Sequence, residues 1–180
     1  MIRLFVALDV PASHRQRLLG LCHGVRDARW VPEANLHLTL RFIGEVEEPQ
    51  AEEIVTALGS VEAEAFSVTL DGVGHFKTGR RIRSLWAGVA PCEALLILQE
   101  RVDATLRRAG IPTDGRRFTP HITLARLKGG TPERTGPWLE INSLFRTEPF
   151  TVNSFTLFES HLGHNGSIYT PVEVFGFARI

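Results

Sequence analysis

Two copies of one tetrapeptide constrain this chain more than anything else in it: His37-Leu38-Thr39-Leu40 in the first half and His121-Ile122-Thr123-Leu124 in the second. Polar and apolar residues alternate in each copy. That is the period of a half-buried β-strand, in which successive side chains point to opposite faces. His and Thr therefore share one face, and the Leu and Ile residues occupy the other. Burying the apolar set fixes the register, because a slip of one residue would carry both histidines into the core. For a chain of this composition, two independent matches arise by chance on the order of one or two times in a thousand. A lone strand histidine reads as a packed or solvated ring. A pair reads as a device for moving two protons, since imidazole titrates near neutrality.

The flanking patterns indicate how the motif strands are held. Arg3 to Asp9 alternates and reads as a strand; Pro11 then opens a helix with Leu18, Cys22 and Val25 as its apolar stripe. Trp30-Val31-Pro32 breaks that helix before the first motif strand, Asn35 to Ile43. Pro49 opens a second helix with Ala51, Ile54, Val55 and Leu58 at helical spacing, and Phe66 to Val73 is a strand. The order then recurs: strand Ser84 to Ala90, helix Cys92 to Ala109 stopped by Gly110 and Pro112, and motif strand Pro120 to Leu127. A helical stretch from Pro132 to Phe145, a strand from Phe150 to Phe158 and a last strand near Ser167 to Phe177 complete it. Asp71 to Gly79 and Lys128 to Gly136 are glycine-rich and read as loops bordering a cleft. Recurrence at half the chain length is a mark of duplication. The expected fold is α+β: one compact domain, 1–180, of two similar lobes related by an approximate two-fold axis. One lobe carries the motif His37–Leu40 and the other His121–Leu124, with antiparallel sheets lining a central cleft and helices outside.

Composition narrows the function. The 180 residues suffice for a core without staples, and a formal net charge of +0 supplies no global field for a polyanion. The charges are nevertheless uneven, acidic from Glu45 to Glu64 and basic from Arg101 to Lys128, so a basic flank suited to phosphate adjoins the second motif. No apolar run approaches the length needed to cross a bilayer, and Asp9 interrupts the apolar N-terminal stretch where a signal peptide would continue; the chain reads as cytoplasmic. Cys22 and Cys92 form neither a Cys-x-x-Cys pair nor a disulfide framework and read as small core residues.

With a phosphodiester between the motif strands, one neutral imidazole can take a proton from an attacking water while the other, protonated, gives one to the departing oxygen. Thr39 and Thr123 can donate hydrogen bonds to the non-bridging oxygens, where charge builds. A strained 2′,3′-cyclic phosphate suits such chemistry best, whereas an unstrained diester usually calls for metal ions. Neither motif contains a carboxylate or thiolate to complete a metal site, so no metal and no cofactor are expected. His161 and His164 read as solvated loop residues, His14 and His23 as surface residues of the first helix, and His75, beside Phe76, as a candidate base contact. Of two candidate phosphate contacts, Arg41 falls on the motif face of an ideal strand. Arg126 falls on the opposite face and needs a twist or bulge to reach the cleft.

These motifs, together with Arg3-Leu4-Phe5-Val6-Ala7-Leu8, Trp30-Val31-Pro32, Leu85-Trp86-Ala87-Gly88-Val89, Phe118-Thr119-Pro120 and Ser160-x-Leu162-x-x-x-Gly166-x-x-Tyr169, resemble the two-histidine phosphoesterases. Within that superfamily they resemble the RNA 2′,3′-cyclic phosphodiesterase branch, formerly called 2′-5′ RNA ligase. The resemblance implies hydrolysis of an RNA 2′,3′-cyclic end to a 2′-phosphate, with His37 as proton donor and His121 as proton acceptor. It also raises Arg126 as a substrate contact. The implied partner is RNA with a cyclic phosphate end or a small cyclic nucleotide, with no membrane and no obligate protein partner. The same site run backwards as a 2′-5′ RNA ligase, or an idle RNA-end binding module, are the competing readings.

Overall fold

The computed structural model describes residues 1–113 and 115–178. Its centre is β1 (Ile2–Asp9), whose run Leu4 to Leu8 is buried throughout because the strand has neighbours on both edges and cover on both faces. One neighbour is β3 (His37–Val46), the first motif strand; the other is β9 (Ser154–Gly163), which pairs on its far edge with β10 (Gly166–Gly176). The second motif strand, β7 (His121–Gly130), pairs with β6 (Arg81–Val89), and β6 with β5 (Leu70–Thr78). A short β2 (Arg29–Trp30) also pairs with β7. The two groups join at β3 and β7, giving one antiparallel sheet in the order β10-β9-β1-β3-β7-β6-β5.

The halves of the chain exchange their closing strands. β5 belongs to the first half by sequence yet pairs with β6, and β9 belongs to the second half yet pairs with β1. A separate two-stranded sheet joins β4 (Phe66–Val68) to β8 (Phe150–Val152), with Ser67 opposite Thr151. Leu38 and Ile122, the only pair between β3 and β7 in the described ladder, are equivalent motif positions. The same length of chain separates Ser67 from Thr151. Each residue thus meets its own counterpart in an antiparallel ladder, as a two-fold axis passing between them requires.

Among the described residues four α-helices cover the sheet: α1 (Ala12–Leu19), α2 (Glu48–Leu58), α3 (Glu93–Arg108) and α4 (Pro132–Ile141). Leu95, Leu98, Val102 and Leu106 of α3 are buried as their spacing predicts, as are Ile54 and Leu58 of α2, each worth about 1.5–3 kcal/mol. The stripe extended to Cys22 and Val25 ends sooner, since α1 stops at Leu19. The Leu21 carbonyl accepts the Trp138 indole N–H of α4 at 2.8 Å, and Leu21 and Val25 are buried as turn residues.

The glycine-rich segments read as loops are largely strand and helix. β5 runs to Thr78, β7 to Gly130, and α4 starts at Pro132. Gly74 explains the misreading: a Cβ there would overlap the Trp86 ring, so the residue is small to let an indole lie across β5, not to make a turn. Gly74→Ala is expected to displace that ring and cost about 1–3 kcal/mol, read as a lower denaturation midpoint; an unchanged midpoint would remove this account.

Candidate active site

Leu38 and Ile122 are fully buried beneath the point where β3 meets β7. Continuing their antiparallel register on the opposite face sets His37 across from Thr123 and Thr39 across from His121. All four line one cleft of about 480 Å³, with Arg126, Ser84 and the aromatic rings of Phe5, Phe42, Phe76 and Tyr169. The β9–β10 hairpin contributes Asn165, Gly166 and Ser167 to the rim, and the Asn35 side-chain amide fastens it by donating to the Ser167 carbonyl at 2.8 Å.

The histidines sit in different surroundings. The His37 ring packs on Phe158 at 4.6 Å and near Tyr169 at 5.9 Å, and its Nε2 lies 3.4 Å from Asp9 Oδ1. The hydrogen bond to His37 holds the Asp9 carboxyl below the usual carboxylate range, outweighing its partial burial, and the charges of His37 and Arg15 add to the effect. Asp9 is the ladder partner of His37, while the residue paired with His121 is Gly88. A Cβ at Gly88 would stand 2.7 Å from the Asp71 carbonyl oxygen, so no side chain fits there.

His121 lies perpendicular to the Phe76 ring at 4.7 Å and near Trp86 at 5.8 Å, and its Nδ1 is 2.6 Å from the Thr119 carbonyl oxygen. A carbonyl only accepts, so Nδ1 carries the proton and, in the neutral ring, Nε2 keeps a lone pair. Burial lowers the His121 pKa from its ordinary value of 6.5, the nearby Arg126 charge lowers it further, and the bond to Thr119 opposes both.

The two arginines are placed opposite to the ideal-strand expectation, for a reason visible in the register. Opposite β1, Val6 pairs with Arg41 and Ala7 with Thr39, so Leu40 is an extra residue; opposite β6, Leu85 pairs with Ala125 and Trp86 with Thr123, so Leu124 is extra. Each bulge resets the alternation just after the threonine. Arg126 thereby turns onto the cleft, and in β3 the corresponding residue there is Phe42. Arg41 turns the other way, its Nε donating to Asp103 of α3 at 2.7 Å and its Nη2 to the Pro112 carbonyl at 2.6 Å. Arg41 is thus not a lining residue of this cleft.

His75 lies within β5 rather than a loop and does not line the cleft. His161 is in β9 facing Glu159, His14 of α1 donates to the Glu148 carbonyl at 2.8 Å, and His23 lies beyond the end of α1. Cys22 and Cys92 are free and half-buried, burial pushing the Cys22 thiol up to about 11. Among the described residues no three His, Cys, Asp or Glu side chains gather to hold an ion, and no helix is long and apolar enough to cross a membrane. Sequence reading overlooked Asp9 and Thr119. The available signal for Asp9 was a carboxylate at the end of a strand that must lie beside a motif strand.

The family model described as LigT like Phosphoesterase matches twice, over residues 8–86 and 89–169. A protein of Archaeoglobus fulgidus named RNA 2′,3′-cyclic phosphodiesterase is 34% identical over 180 residues, covering 97% of this chain and 99% of its own. One of the same name from Escherichia coli is 30% identical, covering 95% and 94%. Among solved structures, that of Escherichia coli LigT complexed with 3′-AMP superimposes with a TM-score of 0.81 at 27% identity, covering 99% of both chains.

Proposed function

The chain is an enzyme of the LigT-like phosphoesterase family, and from that premise we propose that it opens the 2′,3′-cyclic phosphodiester at the end of an RNA to a 2′-phosphomonoester, without a metal ion. The observation that carries this reading is the convergence of His37, Thr39, His121, Thr123 and Arg126 on one cleft. Water attacks phosphorus, and its proton passes to Nε2 of His121. The P–O3′ bond breaks, and the 3′ oxygen takes a proton from His37. The two threonine hydroxyls and the Arg126 guanidinium donate to the non-bridging oxygens as their charge grows. The product keeps the phosphoryl group on the 2′ oxygen and regains a 3′ hydroxyl.

The roles of the two imidazoles follow from their neighbours. Burial keeps His121 neutral at physiological pH, as an acceptor must be, and its tautomer leaves Nε2 as the accepting atom. His37 gives its proton from Nε2, the nitrogen 3.4 Å from the ionised Asp9 carboxylate, since its Nδ1 is buried. Incubating the protein with an oligoribonucleotide ending in 2′,3′-cyclic phosphate, in EDTA, tests the proposal. The expected product ends in 2′-phosphate; a 3′-phosphate, or turnover only with added divalent ion, would sink it.

Two further results are expected. A base must be deprotonated to act, and the pKa of His121 lies below 6.5. The rising limb of kcat/KM against pH should therefore fall below that value, and a limb at or above it would count against His121 as the base. Asp9→Asn preserves shape while removing the charge. It exchanges a charge-assisted hydrogen bond for a neutral one, and kcat should drop about tenfold with KM unchanged; steady-state kinetics with wild-type kcat would exclude this positioning role.

A further inference from the structure

A second groove of about 700 Å³ opens from the candidate active site, sharing Thr39, Phe42, Phe76 and His121 with it. We propose that this groove carries the single-stranded RNA on the 5′ side of the cyclic end, gripping its phosphates with Lys77, Arg83 and Arg117 and stacking a base on Phe42 or Phe76. The inference rests on the reading of the cleft as the site for the cyclic phosphate. A cyclic 2′,3′ end has chain on its 5′ side only, so a polymeric substrate must leave the cleft by one route.

Charge selects this groove. Lys77, Arg83 and Arg117 are exposed and line it, and none makes an ion pair among the described residues. The carboxylate among the described lining residues, Asp103, is already matched by Arg41 at 2.7 Å and Arg107 at 3.1 Å, and so offers little repulsion to a phosphate. Three cations with no ion pair among the described residues, gathered in one channel, stand out in a chain whose formal net charge is +0. At the mouth, where groove and cleft meet, Phe42 is 66% exposed and Phe76 38%. A cationic channel with aromatic platforms is how single strands are bound without sequence readout. A larger hollow between the 61–66 segment and α3 has apolar residues beside Glu62, Glu64 and Arg101 and lies apart from the catalytic side chains, so it lacks this character.

The test compares two substrates in one protein. The triple variant Lys77→Gln/Arg83→Gln/Arg117→Gln is assayed on a 2′,3′-cyclic mononucleotide and on an oligoribonucleotide of several residues ending in 2′,3′-cyclic phosphate. Expected is an oligonucleotide KM raised about tenfold at low salt with kcat held, wild-type kinetics on the mononucleotide, and a gap between the proteins that closes as salt rises. Equal oligonucleotide KM values, or an equal loss on both substrates, would overturn the groove. Fluorescence anisotropy with a labelled oligoribonucleotide ending in 2′-phosphate reads binding without turnover. If the wild type hydrolyses neither substrate, the hydrolytic reading has failed; weakened binding by the triple variant would still support the groove, and unchanged binding would remove it.

Discussion

His121→Ala lowers kcat on a 2′,3′-cyclic substrate by about 10²–10⁴-fold while KM changes little, and His37→Ala does the same, because each removes one proton transfer from the same step. The double variant is expected to fall little below the worse single one, since an acid and a base that act in concert do not contribute additively. The two rings pack on Phe76, Trp86, Phe158 and Tyr169, so each variant is also melted to separate loss of chemistry from loss of fold. His→Asn at either position keeps more of the side-chain bulk and should be equally inactive. A single variant retaining more than about a tenth of wild-type turnover would exclude that ring from the role assigned to it.

Arg126 and Arg41 should behave in opposite ways. Arg126→Ala removes the donor that the proposed mechanism aims at the charge building on phosphorus-bound oxygen, an expected loss of about 10²–10³-fold in kcat, with the melting temperature near wild type because Arg126 is exposed. Arg41→Ala breaks an ion pair whose side chains are only 12% and 18% exposed. Discounting a buried pair for the remaining solvent and for Arg107, which still faces Asp103, the cost is about 2 kcal/mol. For a chain of this size the melting temperature then falls by roughly 4–8 °C, and turnover of a cyclic mononucleotide stays near wild type. The reverse outcome, an inactive but stable Arg41 variant and an active Arg126 variant, would mean that the bulges at Leu40 and Leu124 do not set which side chain meets the phosphate.

That contrast marks the boundary of what alternation reveals. Period two correctly separates His37 and Thr39 from Leu38 and Leu40, because burial of the leucines is a strong local constraint. It fails one residue later, where an extra residue resets the phase, and nothing in the identities of Leu40 or Leu124 announces a bulge. The stripe of α3 was legible for the same reason as the motif strands. The stripe assigned to α1 was not, because Leu21 and Val25 reach the core from a turn at much the same spacing. Strand exchange was invisible, since pattern shows that β9 is a strand without showing which edge it joins, and it reads most of β5 as a loop. Asp9 was overlooked because its significance lies in a ladder partner far along the chain, and Gly74 because a glycine that admits an indole looks like one that makes a turn.

An axis of symmetry through the sheet poses a problem for chemistry that has a direction. A scaffold that sets counterpart residues against each other offers a bound phosphate two similar flanks, whereas the proposed ring opening needs an entering side and a leaving side. Polarity therefore has to be written by whatever differs between the counterparts. Asp9 borders one imidazole, and its place beside the other is taken by Gly88, where the Asp71 carbonyl forbids any side chain. Just past each bulge an aromatic ring on one flank, Phe42, answers a guanidinium on the other, Arg126. Erasing these differences, rather than the histidines themselves, is what would leave the molecule unable to tell which of its two ends should give the proton and which should receive it.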